Sequence, residues 1–325
     1  MKQIAFLGEC MIELNGAPFA TMHQAFGGDV LNSAVYLARA SQQKIAVHFV
    51  TALGMDSLSE GMITRWQDEG IDTHLVLRDP AHQPGLYLIQ LDELGERTFL
   101  YWRNDSAARY MVRHPDFSSV MQALQQMDAV YLSGISLAIL PVDDREKLLN
   151  LLAELAAQGK TIIFDSNYRS ALWKSVEETQ ICYQKLLAFT SLALVTDDDE
   201  CKLWGDKSVT ATMIRLKQAG VKEAIIKAGA VGCYYQHLER DTPIELIPTA
   251  PVVNVVDTTA AGDAFNAGFL AGFLTDCPIQ QAAIMGHRLA GSVIQHKGAI
   301  IPISATKTVT DSFFNSGEKI DETDD

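Results

Sequence analysis

Residues 257–263 read Asp257-Thr258-Thr259-Ala260-Ala261-Gly262-Asp263, between the β-prone run PVVNVV (251–256) and an Ala/Gly-rich helical stretch, 264–274. The order is strand, small-residue turn, helix. Small side chains at 260–262 let backbone N–H groups approach a ligand, and a helix start carries partial positive charge. Such a turn favours negative charge developing on transferring phosphoryl oxygens. Asp263, in the first turn, is placed to take the proton of an attacking hydroxyl. The same residues also suit an Asp-capped packing helix, and spacing alone does not choose between the two readings.

Working outward, the chain alternates compact apolar runs with amphipathic ones. Strands are expected at 4–7, 45–53, 130–133, 161–165, 192–195 and 224–227, and helices at 28–40, 56–69, 141–157, 211–219 and 279–296. This alternation implies an α/β fold with a mostly parallel sheet flanked by helices on both faces. Residues 85–101 differ: two β-prone runs flank Asp92-Glu93-Leu94-Gly95-Glu96, a hairpin signature that suggests a small accessory sheet. Residues 311–325 form an acidic tail, expected to be disordered beyond a domain spanning 1–310.

Composition narrows the function classes. The 325 residues are 48% hydrophobic and 20% charged, ample for a core without disulfide or metal staples. A net charge of −14 argues against a nucleic-acid partner. The five cysteines, Cys10, Cys182, Cys201, Cys233 and Cys277, form no C-x-x-C pair and are expected to be buried, reduced thiols. The histidines show no zinc-protease spacing. Glu9 and Glu13 interrupt the first apolar run, so no signal peptide is expected, and no run is long enough to span a membrane. A cytoplasmic location follows as an expectation.

Two common nucleotide motifs fail. Gly8 lacks the further glycines of a dinucleotide turn. Gly159-Lys160-Thr161 looks like the end of a Walker A loop, but it follows a helix and precedes a strand, the inverse of the required order. Four weaker elements remain. Gly27-Gly28-Asp29-Val30-Leu31-Asn32 opens a helix with paired glycines and an amide. Lys227-Ala228-Gly229-Ala230-Val231-Gly232 follows a strand and suits either a phosphate-side turn or a plain hairpin turn. Tyr101-Trp102-Arg103 closes the hairpin, where aromatics and Arg suit a sugar chain and a carboxylate. Asp165-Ser166-Asn167-Tyr168-Arg169 sits at a strand's C-terminal end, where open α/β sheets bind ligands.

Together these elements resemble the ribokinase-like (PfkB) carbohydrate kinases, from Lys2 to about Pro302. Gly27-Gly28…Asn32 followed by Gly54-x-Asp56…Gly61 is similar to the family's N-terminal signature, and 257–263 to its C-terminal one. GECMIEL (8–14), FGGDVLN (26–32), GLYLIQ (85–90), GERTFLYWRN (95–104), YLSGISLAIL (131–140) and DSNYR…LW (165–173) are most similar to the branch that acts on the sugar acid 2-keto-3-deoxygluconate.

That resemblance implies a ribokinase-like fold with a small β-sheet lid from about 11–25 and 84–103. It implies ATP-dependent phosphorylation of 2-dehydro-3-deoxy-D-gluconate at its terminal hydroxyl, giving the 6-phosphate of the Entner–Doudoroff route. Asp263 would be the base and Ala260, Ala261 and Gly262 the anion hole. Gly28, Asp29, Asn32, Tyr87, Tyr101, Arg103 and Arg169 would contact the sugar acid. Lys227, Gly229, Ala230 and Gly232 would lie by the nucleotide, with Mg²⁺ accompanying ATP and Glu200, in Asp197-Asp198-Asp199-Glu200, on the metal side. Many family members carry Gly where Ala260 stands; the hole tolerates Ala if its φ stays negative. The lid implies a homo-oligomer. Kinases for fructose or a nucleoside, and a catalytically idle sugar-binding regulator, are the alternatives. The pair Arg103 and Arg169 speaks against a neutral sugar, and the intact Asp263 turn against an idle protein.

Overall fold

The computed structural model describes residues 1–91 and 97–314. The expected hairpin turn at 92–96 and residues 315–325 of the expected tail lie outside them, while 311–314, placed in that tail by the sequence, form a turn whose Phe313 and Phe314 pack against the core. The strands are β1 (Lys2–Leu7), β2 (Met11–Gly16), β3 (Met22–Gly27), β4 (Ile45–Leu53), β5 (Val76–Arg78), β6 (Leu86–Leu91), β7 (Arg97–Trp102), β8 (Ala129–Ser133), β9 (Thr161–Asp165), β10 (Leu192–Thr196), β11 (Glu223–Lys227), β12 (Gly232–His237) and β13 (Glu245–Pro248). The α-helices are α1 (Asp29–Ala40), α2 (Ser57–Asp68), α3 (Phe117–Leu124), α4 (Gly134–Ala138), α5 (Val142–Ala157), α6 (Val176–Leu187), α7 (Asp197–Trp204), α8 (Val209–Ala219), α9 (Ala261–Phe273), α10 (Ile279–Val293) and α11 (Ile303–Thr310).

The nine-stranded sheet runs β13-β12-β11-β10-β9-β8-β1-β4-β5. Its strands pair in parallel from β5 to β11, and β12 and β13 add an antiparallel edge. Strand side chains alternate between faces, which splits the core in two. Leu7, Val50, Leu132, Phe164, Val195 and Ile226 pack under α5, α6 and α8, while Phe6, Phe49, Tyr131, Ile163, Leu194 and Ile225 pack against α1, α9 and α10. Burial on both sides explains why these strands read as unbroken apolar runs rather than alternating ones.

A four-stranded sheet, β3-β2-β6-β7, stands apart. Strands β6 and β7 pair antiparallel, as expected of the hairpin's two arms, and β2 joins β6 in parallel with Ile12 opposite Leu86.

Two expectations fail. Residues 251–256 form no strand. Val253, Val255 and Val256 are exposed, and the N–H groups of Val256 and Asp257 donate to the Ile294 carbonyl at the end of α10. A helix terminus, not a sheet edge, takes their hydrogen bonds, so the run of β-branched residues stays an irregular connector. The five cysteines are free, but Cys201 is exposed and Cys277 half-buried. Cys201 lies on α7, whose first turn, 197–200, is wholly acidic, so that helix has little apolar surface to bury. Among the described residues, no helix is long and apolar enough to cross a membrane.

Candidate active site

The parallel strands end at one edge, and a cavity of about 1460 Å³ opens there between that edge, α9 and the small sheet. Ligands of open α/β sheets bind at the carboxyl ends of strands. Here β9 delivers Asp165, β10 leads into Asp198 and Asp199, and β11 delivers Lys227.

The turn before α9 is fastened by Asp257. Its Oδ1 accepts from the Thr259 N–H at 2.9 Å and its Oδ2 from the Gly298 N–H at 2.8 Å. Held this way, Ala260 sits at φ 59° and ψ 14° and caps the helix. The condition that its φ stays negative is therefore overturned. The left-handed region costs an L-residue about 1 kcal/mol, which the fixed turn around it must sustain. Ala260, Ala261 and Gly262 all line the cavity, and the Lys227 ammonium lies 3.7 Å from where a Gly262 Cβ would stand.

Asp263 faces the same space. Its Oδ2 accepts from Asn32 Nδ2 at 2.9 Å, and its carbonyl from Ser33 Oγ at 3.3 Å, both from α1. Burial, and then the neighbouring Asp29 carboxylate, push its carboxyl up to about 7. Asp29 itself is raised by burial, although Asn167 Nδ2 donates to its Oδ2 at 2.6 Å.

Behind these lies a buried polar network. Lys227 Nζ is 3.3 Å from both Asp165 oxygens and 3.1 Å from Asn266 Oδ1. Asn266 Nδ2 donates to Asp165 Oδ2 at 2.7 Å and to Tyr131 Oη at 3.0 Å. Sequence reasoning missed Asn266 and Tyr131. Asn266 stands three residues past Asp263, almost one turn on, and a buried amide in an Ala/Gly-rich helix was the available signal.

Gly28 begins α1 where the chain passes Glu9: a Cβ there would sit 2.3 Å from the Glu9 carbonyl. Arg103 is buried, and its Nη2 donates to Glu9, which also accepts from Ser106 Oγ. Among the described residues its Nε has no partner, and the residue lines the cavity. Sequence reasoning did not foresee Glu9, a buried acid directly after β1. Tyr87 is buried and donates to Glu13, while Tyr101 is half-exposed on the edge strand. Arg169 is half-exposed, its Nη1 donating to the Tyr168 carbonyl at 2.9 Å and lying 3.7 Å from Asp199 Oδ2.

Gly229 and Ala230 form a short helical turn between β11 and β12, so this element is at once a hairpin turn and a cavity wall. Gly232 requires its glycine: φ is 120°, and a Cβ would lie 2.3 Å from the Ile247 carbonyl. Glu200 stands apart from the rest. It is buried behind the wall and paired with Arg215, and burial pushes its carboxyl up to about 7 against that pairing. Asp198 and Asp199 line the cavity instead.

The chain is 58% identical over 302 residues to a 2-dehydro-3-deoxygluconokinase of Haemophilus influenzae, covering 93% of this chain and 96% of that one. To the 2-dehydro-3-deoxygluconokinase of Escherichia coli (strain K12) it is 47% identical, over 94% and 98% of the two chains. Among solved structures, a fructokinase with bound ATP from Xylella fastidiosa superposes with a TM-score of 0.80 at 22% identity, over 96% of this chain and 97% of that one. An aminoimidazole riboside kinase from Salmonella enterica, complexed with aminoimidazole riboside and an ATP analog, gives 0.78 at 23% identity, over 97% and 100%. The model of the pfkB family of carbohydrate kinases matches residues 1–306, and the chain belongs to that family.

Proposed function

We propose that the protein transfers the γ-phosphoryl group of ATP to the terminal hydroxyl of 2-dehydro-3-deoxy-D-gluconate. The observation that carries this reading is Asp263, held by Asn32 at the start of α9 in the cavity that Arg103 also lines. The identity to named 2-dehydro-3-deoxygluconokinases supports the choice of sugar acid.

The chemistry follows from the residues. Asp263 takes the hydroxyl proton as the sugar oxygen bonds to the γ-phosphorus and the bond to ADP breaks. A carboxyl near 7 is poised for this at neutral pH. The amides of 260–263 and the Lys227 ammonium face the charge that develops on the phosphoryl oxygens. The base and ribose fit the wall of Val252, Val255, Ala290, Gly291 and Ile294, and the turn at Gly229, Ala230 and Gly232. Mg²⁺ would neutralise phosphate charge. The cavity-lining carboxylates of Asp198 and Asp199 suit it directly or through water, with Glu200 supporting α7 from behind.

Gly28, Asp29, Asn32, Tyr87, Tyr101, Arg103 and Arg169 would bind the sugar acid, its carboxylate meeting the arginines. The small sheet would act as a lid that excludes water. Its edge strand exposes Phe99, Leu100, Tyr101 and Trp102, which supports pairing of two lids in a homo-oligomer. Free thiols and use of ATP fit a cytoplasmic setting. An ADP-release assay over acid and neutral sugars tests the reading. The expected result is turnover of 2-dehydro-3-deoxygluconate well above fructose and nucleosides. Equal or better turnover of a neutral sugar overturns the substrate, and no turnover of any sugar overturns the kinase.

A further inference from the structure

Away from the cavity, His48 stands in the middle of β4, in the same side-chain row as the core residues Val50 and Ala52. Its side chain is 9% exposed, and among the described residues neither ring nitrogen has a hydrogen-bond partner. An unpaired buried imidazole is costly, so the arrangement calls for an occupant.

Two side chains from the segment between α2 and β5 stand beside it. Asp72 Oδ2 lies 3.7 Å from His48 Nδ1, and His74 Nδ1 pairs with Asp72 Oδ1. The two imidazole rings are nearly perpendicular, with centroids 5.7 Å apart. One donor atom from each of the three residues lies within 4.8 Å of the others. Ligands of a tetrahedral zinc ion lie about 3.3 Å apart, so small side-chain rotations suffice.

The backbone already holds this segment in place. Asp72 N–H donates to the Val47 carbonyl at 2.8 Å, and Phe49 N–H to the Asp72 carbonyl at 3.0 Å, an isolated bridge onto β4. Asp72 and His74 are partly exposed, which leaves an entry path and room for a solvent ligand. We propose that His48, Asp72 and His74 bind a divalent transition ion of the zinc class, with water completing the shell. Two imidazoles and one carboxylate favour Zn²⁺ over Mg²⁺, which prefers oxygen. Bound metal would staple the segment to the sheet.

The test is calorimetric titration of ZnCl₂ into tag-free, chelator-stripped protein, with melting temperature and kinase turnover measured alongside. Wild type is expected to take up one Zn²⁺ at this cluster and to melt higher with it. His74→Ala removes a largely exposed ligand, and Asp72→Asn keeps the side-chain bond to the His74 N–H. Either should weaken zinc binding by roughly tenfold or more and shrink the melting shift, with turnover unchanged. No saturable binding by wild type, or equal binding by wild type and both variants, overturns the proposal.

Discussion

On the floor of the cavity Asp165 meets the ammonium of Lys227 and Asp263 stands near Asp29, whereas beside the small sheet Glu9 meets Arg103 in a buried pair. On the floor, burial and then the neighbouring Asp29 carboxylate raise the proton affinity of Asp263. The Glu9–Arg103 pair commits part of its cation to its own acid, and among the described residues Arg103 Nε has no hydrogen-bond partner. Acid–base chemistry needs a group that is uncomfortable in its resting state, while recognition needs one that is already in place.

The sharpest way to break this contrast is Asp263→Asn. Turnover should fall roughly 10²–10⁴-fold, the range for losing a general base, with sugar-acid binding retained by calorimetry. Near-normal turnover would remove Asp263 from the base role. The same variant should melt higher than wild type at pH 7.5. Because folding raises this carboxyl from 3.8 to about 7, Asp263 favours the folded state most at low pH, and that contribution is lost as pH rises through 7.

At the Glu9 pair, Arg103→Ala should raise KM for the sugar acid more than for ATP. It should also destabilise the fold by about 3–5 kcal/mol in urea unfolding, because Glu9 is left buried and unpaired. Adding Glu9→Gln should recover part of that stability. Arg169→Ala, at a half-exposed site, should raise KM with little change in unfolding.

A third measurement is the pH profile of kcat/KM, which should fall toward low pH with a midpoint near 7 as Asp263 protonates. A flat profile from pH 6 to 8 would place the floor's acidity elsewhere. The smallest effect is expected from Ala260→Gly, which relieves the left-handed alanine. Unfolding should become harder by up to about 1 kcal/mol, with turnover unchanged.

The two regions were unequally legible in the sequence. Of the floor, only the run 257–263 is contiguous, and its small-residue turn and acid suggested an anion site without excluding a plain packing helix. The parallel sheet could be read because burial on both faces leaves uninterrupted apolar strands. Glu9 was opaque, because its partner Arg103 lies 94 residues away and only the fold joins them. The left-handed Ala260 was opaque for a related reason. Its conformation is imposed by Asp257 reaching Gly298, a contact no local propensity encodes. Residues 251–256 misled because β-branched composition records a preference for extended backbone and not the presence of a neighbouring strand.

The bond from Gly298 to Asp257 has a consequence for how the protein is made. Nearby, Tyr36 Oη donates to the Ala299 carbonyl and accepts from the Ile301 N–H, and Arg39 reaches the Ile301 carbonyl. Segments from the first and last parts of the chain thus close the same corner. A ribosome must deliver the chain through Gly298 before the turn at 257–263 has its clamp. A nascent chain stopped short of Gly298 would hold Asp263 without that anchor for its setting, so the site's geometry waits on a residue 35 positions further along the chain.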